Sequence, residues 1–205
     1  MVCGTEIAQR CDAVVGLLQE MFRDGGKSQF GQCVFEFLNS KLGDSKSMWR
    51  DNSWDASAPI SRYRVNGSNR DSLIAQWGDG SLNLYPSNAD GSLGNYRPLW
   101  PDKTWTKKHI AAGDFTGDGR DDVVAVGANG ALQLYPGDVN GSLQPARSMW
   151  RDNSWSSMAM VLGGDVNGDR KADVLGRWNS KVLSWYAGNG DGTLATSGRQ
   201  LWPAS

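Results

Sequence analysis

The sequence predicts a mainly β fold built from three similar four-stranded units behind a short helical segment. Three observations predict it. The octapeptide SMWRDNSW at 47–54 returns unchanged at 148–155, with PLWPDKTW between them at 98–105 and QLWPAS closing the chain. Tyr85, Tyr135 and Tyr186 keep the same period of about fifty residues, in LNLYPSNADGSL, LQLYPGDVNGSL and LSWYAGNGDGTL. An Asp/Asn–Gly loop precedes each Tyr in one register: RVNGSNRDS from Arg64, DFTGDGRDD from Asp114 and DVNGDRKAD from Asp165.

The helical segment comes first, over residues 1–46. Ile7, Cys11, Val14, Leu17, Leu18, Met21 and Phe22 recur mostly at spacings of three and four, which places them on one helix face. Cys33, Val34, Phe37 and Leu38 form the face of a second helix that ends at Gly43. Two short amphipathic helices must cover their apolar faces against something else. All three cysteines, Cys3, Cys11 and Cys33, fall here, so an odd thiol remains if a disulfide forms.

The repeats span about 55–105, 106–155 and 156–205. In the second, VVAV at 123–126 and ALQLY at 131–135 flank an Ala-Asn-Gly turn and read as a hairpin. LIAQW and SLNLY, then VLGRW and KVLSWY, do the same on either side. A strand before each Asp loop and one at each Trp marker bring the count to four, the size of a propeller blade. Leu82 and Leu84, Leu132 and Leu134, and Leu183 and Trp185 are expected at the contacts between blades.

The Asp loops carry the chemistry. Asp114, Thr116, Asp118, Arg120 and Asp122 stand at alternate positions of one loop, and Asp165, Asn167, Asp169, Lys171 and Asp173 at those of the next. Calcium takes six to eight hard oxygens at flexible geometry. Side chains at the first, third, fifth and ninth positions, with the backbone carbonyl of Arg120 or Lys171, supply that set. An EF-hand would need Glu at the twelfth position, where Ala125 and Gly176 stand. The first repeat has Arg64, Asn66, Ser68, Arg70 and Ser72 instead, so no ion is expected there.

DFTGDGRDDVVAV, DVNGDRKADVL and YAGNGDGTL resemble the FG-GAP or VCBS repeats of integrin-α-like β-propellers and propeller lectins, over about residues 47–205. The resemblance implies a propeller with calcium between the first two strands of a blade. Three repeats fall short of the usual four to eight blades, so either partners complete the ring, as a homo-oligomer would, or the chain is a piece of a longer protein.

Function follows as expectation. The chain has 21 basic and 22 acidic residues and no basic stripe, which argues against nucleic acid as a partner. No apolar run reaches the length of a transmembrane helix, so membrane insertion is not expected. No signal peptide opens the chain, yet loops of this kind bind calcium at about 0.1–1 mM, which suits an extracellular setting. His109 is the only histidine and no G-x-S-x-G motif occurs, so the sequence points away from an enzyme. The expected role is a calcium-stabilised binding module whose partner is a glycan. The alternatives are a cell-surface protein partner, as in integrin-type adhesion, or an accessory domain of a secreted hydrolase. Trp49, Trp100, Trp150 and Trp202 are expected in the core. Trp54, Trp105 and Trp155, with Arg50, Arg151, Asp51 and Asp152, are the candidates for a sugar site.

Overall fold

The computed structural model describes residues 47–49, 54, 59–65, 68–107 and 109–202. The two expected helices, the three cysteines, Arg50 and Asp51 lie outside the described residues.

The described chain forms three four-stranded antiparallel sheets, each a simple meander. Blade 1 consists of β1 (Ile60–Arg64), β2 (Asp71–Gln76), β3 (Leu82–Tyr85) and β4 (Arg97–Pro98). Blade 2 consists of β5 (His109–Gly113), β6 (Asp122–Val126), β7 (Leu132–Tyr135) and β8 (Arg147–Ser148). Blade 3 consists of β9 (Met158–Gly164), β10 (Asp173–Trp178), β11 (Leu183–Tyr186) and β12 (Arg199–Trp202). The first strands β1, β5 and β9 are neighbours in turn, so the blades stack side by side in a β-propeller-like arrangement.

Period-2 alternation divides each sheet into a face toward the following blade and a face toward the preceding one. Between blades 1 and 2, Ile74, Leu82, Leu84 and Leu99 meet Ile110, Ala112, Val123 and Ala125. Between blades 2 and 3, Val124, Val126, Leu132 and Leu134 meet Val161 and Val174. The leucine pairs of β3 and β7 therefore sit at inter-blade contacts, as their spacing predicts. Leu183 and Trp185 of β11 are only half-buried.

Polar contacts fix the blades as well. Asp121 is buried, accepts the Arg64 N–H at 2.6 Å and pairs with the Arg62 guanidinium at 3.2 Å. At the next interface Ala172 replaces Asp121, and its N–H reaches the Asp114 carbonyl at 3.3 Å. His109 is taken up structurally, with Nε2 at 2.9 Å from the Met158 carbonyl of the next blade.

Candidate functional site

In blade 2 the Asp loop joins β5 to β6, and in blade 3 it joins β9 to β10. Both loops fold around their own carboxylates. Asp114 Oδ1 accepts the Gly117 and Asp118 N–H groups at 2.7 and 3.1 Å, and Oδ2 accepts Gly119 at 2.8 Å. Asp165 does the same with Gly168 at 2.7 Å and Arg170 at 2.9 Å. The backbone turns left-handed at the fourth and sixth positions, with φ of 74° and 82° at Gly117 and Gly119, and 81° and 68° at Gly168 and Arg170. Arg170 adopts a conformation that costs an L-residue about 1–2 kcal/mol, so the loop geometry is imposed by the collected N–H groups.

The ninth position closes each loop from inside the sheet. Asp122 has none of its surface exposed. Its Oδ2 accepts the Phe115 and Thr116 N–H groups at 2.9 Å each, and its Oδ1 accepts Gly137 at 2.9 Å. Burial pushes the Asp122 carboxyl above its ordinary range, against the pull of the Gly137 and Thr116 N–H groups. Asp173 repeats the pattern with Val166 at 2.9 Å and Gly188 at 2.8 Å. At the fifth position Asp118 forms an ion pair with Arg120, whose Nε also reaches the Gly137 carbonyl at 3.2 Å. Asp169 is held below the ordinary carboxylate range by the Lys171 N–H and the Asn167 amide.

Blade 1 lacks a carboxylate at the ninth position of this loop. Ser72 stands in for the buried carboxylate and accepts the Ser87 N–H at 3.4 Å. The Arg64 guanidinium turns to Asp71, with Nε and Nη2 each at 2.8 Å.

The second Asp/Asn–Gly loops are turns that cap themselves. Asp90, Asp138 and Asp191 accept the N–H groups of Ser92, Ser142 and Thr193 at 3.0, 2.8 and 2.9 Å. One of them also buttresses a neighbour: the Gly192 N–H donates to the Phe115 carbonyl at 2.8 Å across the blade boundary.

The aromatic markers converge into one triad per blade. Trp49, Trp100 and Trp150 meet Tyr85, Tyr135 and Tyr186 edge-on, with centroids 5.4 Å apart in every case. Trp54, Trp105 and Trp155 pack on the same tyrosines at 4.8, 4.5 and 4.9 Å. The burial order reverses the expectation: Trp105 and Trp155 are each 1% exposed, whereas Trp100 and Trp150 are half-buried. The inner indole fills the space between blades and presents no face to a sugar. The rest of the octapeptide holds it there. Asp102 and Asp152 accept the Thr104 and Ser154 N–H groups at 2.9 and 3.0 Å. Arg151 lies over the Trp150 ring at 4.9 Å and donates to the Thr196 carbonyl at 2.9 Å.

A cleft of about 510 Å³ opens at the blade 1–blade 2 boundary, lined by Gln76, Trp77, Gly78, Gly80, Trp105, Thr106, Lys107 and Ala128. Its floor is the β2–β3 turn, where Gly80 has φ of 82° and the Trp105 N–H donates to the Gly80 carbonyl at 2.9 Å. Gln76 clamps the Lys107 backbone, accepting its N–H at 2.8 Å and donating to its carbonyl at 3.0 Å. Lys107 Nζ reaches Gln133 Oε1 at 3.0 Å and lies 5.6 Å from the centre of the Trp105 ring. The indole nitrogens of Trp77 and Trp105 are buried without a hydrogen-bond partner. Of the described sugar-site candidates only Trp105 lines this cleft. Trp54 packs on Trp77 at 5.3 Å, and Trp155, Arg151 and Asp152 belong to the next boundary. Gln76 and Lys107 carried no repeat signal, and Trp77 recurs in one other blade: the positions equivalent to it hold Gly127 and Trp178.

The FG-GAP-like repeat family matches residues 65–125 and 114–176, together more than half of the sequence. The chain belongs to the FG-GAP-like repeat family. Among solved structures, the fold resembles that of an Agrocybe aegerita lectin described as specifically recognising non-reducing terminal N-acetylglucosamine, with a TM-score of 0.52 at 24% identity. The match covers 71% of this chain and 38% of that one. AofleA from Arthrobotrys oligospora matches with a TM-score of 0.42 at 14% identity, covering 72% of this chain and 44% of that one. This chain therefore spans less than half the length of either. No curated protein matches it.

The FG-GAP loops of blades 2 and 3 have the donor chemistry for calcium. Their oxygens are hard, sit at alternate positions and share one backbone path. The Thr116 hydroxyl adds an observation of its own: it is buried beside the Asp122 carboxyl with no hydrogen bond of acceptable geometry. As the side chains stand, no three acidic, His or Cys groups converge on one point among the described residues. Completing a shell in blade 2 requires Asp118 to leave Arg120.

Proposed function

We propose that this FG-GAP repeat chain is a non-catalytic carbohydrate-binding module whose second and third blades are stabilised by calcium. The cleft between blades 1 and 2 carries the reading. It combines a half-buried indole face at Trp77 with a fixed ammonium at Lys107. An aromatic face with a few fixed polar groups suits a pyranose, which has one apolar side and a rim of hydroxyls. The shared fold with a lectin that recognises non-reducing terminal N-acetylglucosamine supports the same class of ligand. Calcium, held by Asp114, Thr116, Asp118 and Asp122 and by Asp165, Asn167, Asp169 and Asp173, would neutralise carboxylates that now rely on backbone N–H groups. Affinity near 0.1–1 mM would place the protein outside the cell.

A glycan array, printed with terminal N-acetylglucosamine among other sugars, tests the binding reading. Retention of defined glycans that weakens with Trp77→Ala supports it, and a blank array at high micromolar protein overturns it. Calcium titration by calorimetry tests the loops separately. Two ions per chain, reduced to one by Asp114→Ala, are expected, and no heat of binding removes calcium from the account.

A further inference from the structure

The two Asp loops have matched donor sets, three carboxylates each, with Thr116 against Asn167 at the third position. They differ in what a cationic side chain does to them. In blade 2 the Arg120 guanidinium pairs with the Asp118 carboxylate through Nη2, and its Nε donates to the Gly137 carbonyl at 3.2 Å. Gly137 in turn donates its N–H to Asp122 at 2.9 Å. Arg120 therefore ties the fifth-position carboxylate to the residue that the ninth-position carboxylate already holds. Its side chain is 24% exposed, whereas the other paired cations among the described residues range from 42% to 71%. Solvent screens this pair less than the rest.

Blade 3 has no such tie. Lys171 stands where Arg120 does, and its stem lies beside Gly190, where an added Cβ would be 3.3 Å from its Cγ and Cδ. Asp169 accepts the Asn167 amide at 3.0 Å and the Lys171 N–H at 2.9 Å. Among the described residues no cationic side chain comes within ion-pair distance of Asp165 or Asp169.

We infer that Arg120 is a built-in competitor of calcium: it holds the blade 2 loop in shape without metal, so the blade 3 loop binds calcium first and more tightly. The inference rests on the calcium reading of the two loops. Asp118 can turn to a metal only by giving up the guanidinium, and the displaced guanidinium then stays nearby as a like charge to the ion. The backbone carbonyl of Arg120, which the sequence offers as a ligand, is untouched by the exchange of its side chain.

Calcium calorimetry on the full chain tests the inference, with Arg120→Gln and Lys171→Gln as variants. The wild type should show two unequal sites. Arg120→Gln should tighten the weaker site about three- to tenfold, the effect of losing one partly screened ion pair, and leave the stronger unchanged. Lys171→Gln should move neither by more than about twofold, because a charge out of contact is screened. Melts give a second readout. In EDTA Arg120→Gln should melt below wild type and Lys171→Gln should not; in saturating calcium the Arg120→Gln deficit should shrink. Arg120→Lys keeps the charge but loses the planar fork, and should fall between wild type and Arg120→Gln in both readouts. Two equal sites in the wild type, no response to Arg120→Gln, or equal tightening by both glutamine variants would overturn the inference and leave the calcium reading standing. No calcium binding by the wild type or any variant would remove both.

Discussion

Removing the carboxylate that closes the Asp loop should cost stability in proportion to the N–H groups it collects, with or without metal. Asp122 accepts three, from Phe115, Thr116 and Gly137. Asp173 accepts two, from Val166 and Gly188. Ser72 accepts one, from Ser87, at 3.4 Å. A hydrogen bond to a charged group contributes about 1.5–3 kcal/mol, and a buried donor left unpaired costs about 1–3 kcal/mol. Simple addition overstates Asp122, because burial already penalises its charged form. We expect Asp122→Ala to cost about 3–5 kcal/mol, Asp173→Ala about 2–4, and Ser72→Ala about 1 or less. Asp122→Asn should fall between wild type and Asp122→Ala. Its one oxygen can still serve Phe115 and Thr116, but its amide N–H then faces the Gly137 N–H. Urea unfolding in EDTA, with a common slope across variants, measures the series. The reasoning fails if Ser72→Ala costs as much as Asp122→Ala, or if all three fall within experimental error of wild type.

Gly80→Ala should destabilise by at least about 2 kcal/mol in thermal or urea melts, since φ is 82° and the added Cβ would lie 2.0 Å from the Lys103 carbonyl oxygen. Asp102, Asp152 and Asp191 are held below the ordinary carboxylate range by the side chains and N–H groups of Thr104, Ser154 and Thr193. Their folded-state pKa values are depressed, so the stability they add is complete above about pH 4 and is lost as pH falls through the folded values. The triple Asp→Asn variant should therefore show a shallower loss of stability between about pH 4 and 2, read from melts across that range.

The fold was legible because the chain states it three times. Any one Trp, Tyr or Asp–Gly turn is ambiguous, but three markers in one register admit a single reading, and each blade places them at equivalent points. The place of the Asp loops, between the first two strands of blades 2 and 3, was legible for the same reason. Which indole is buried was not legible. Trp100 and Trp105 are both repeat markers, and only the path through Asp102 and the contact with Gly80 turns Trp105 inward.

A repeat makes equal sites, so a site used once must lie where the repeats differ. That argument favours Trp77 over the tryptophans repeated in every blade, because its position changes to Gly127 in blade 2 and returns only as Trp178 in blade 3. The equivalent position in blade 2 is Gly127, and there the β6–β7 turn lies against Asn153 and Ser156 with Gly130 in the same left-handed conformation as Gly80. Trp77→Gly therefore gives blade 1 the residue that blade 2 already accommodates. Its loss should fall on Trp54 and Tyr85, which pack on Trp77 at 5.3 and 6.4 Å, and should cost less than the 3–5 kcal/mol of emptying a sealed core site. If the cleft is the glycan site, Trp77→Gly should abolish retention while the chain still melts cooperatively. Trp150→Ala, at a half-buried indole of the next boundary, should leave retention intact. Loss of binding in Trp150→Ala with full binding in Trp77→Gly would move the site to the repeated octapeptide and refute the argument from difference.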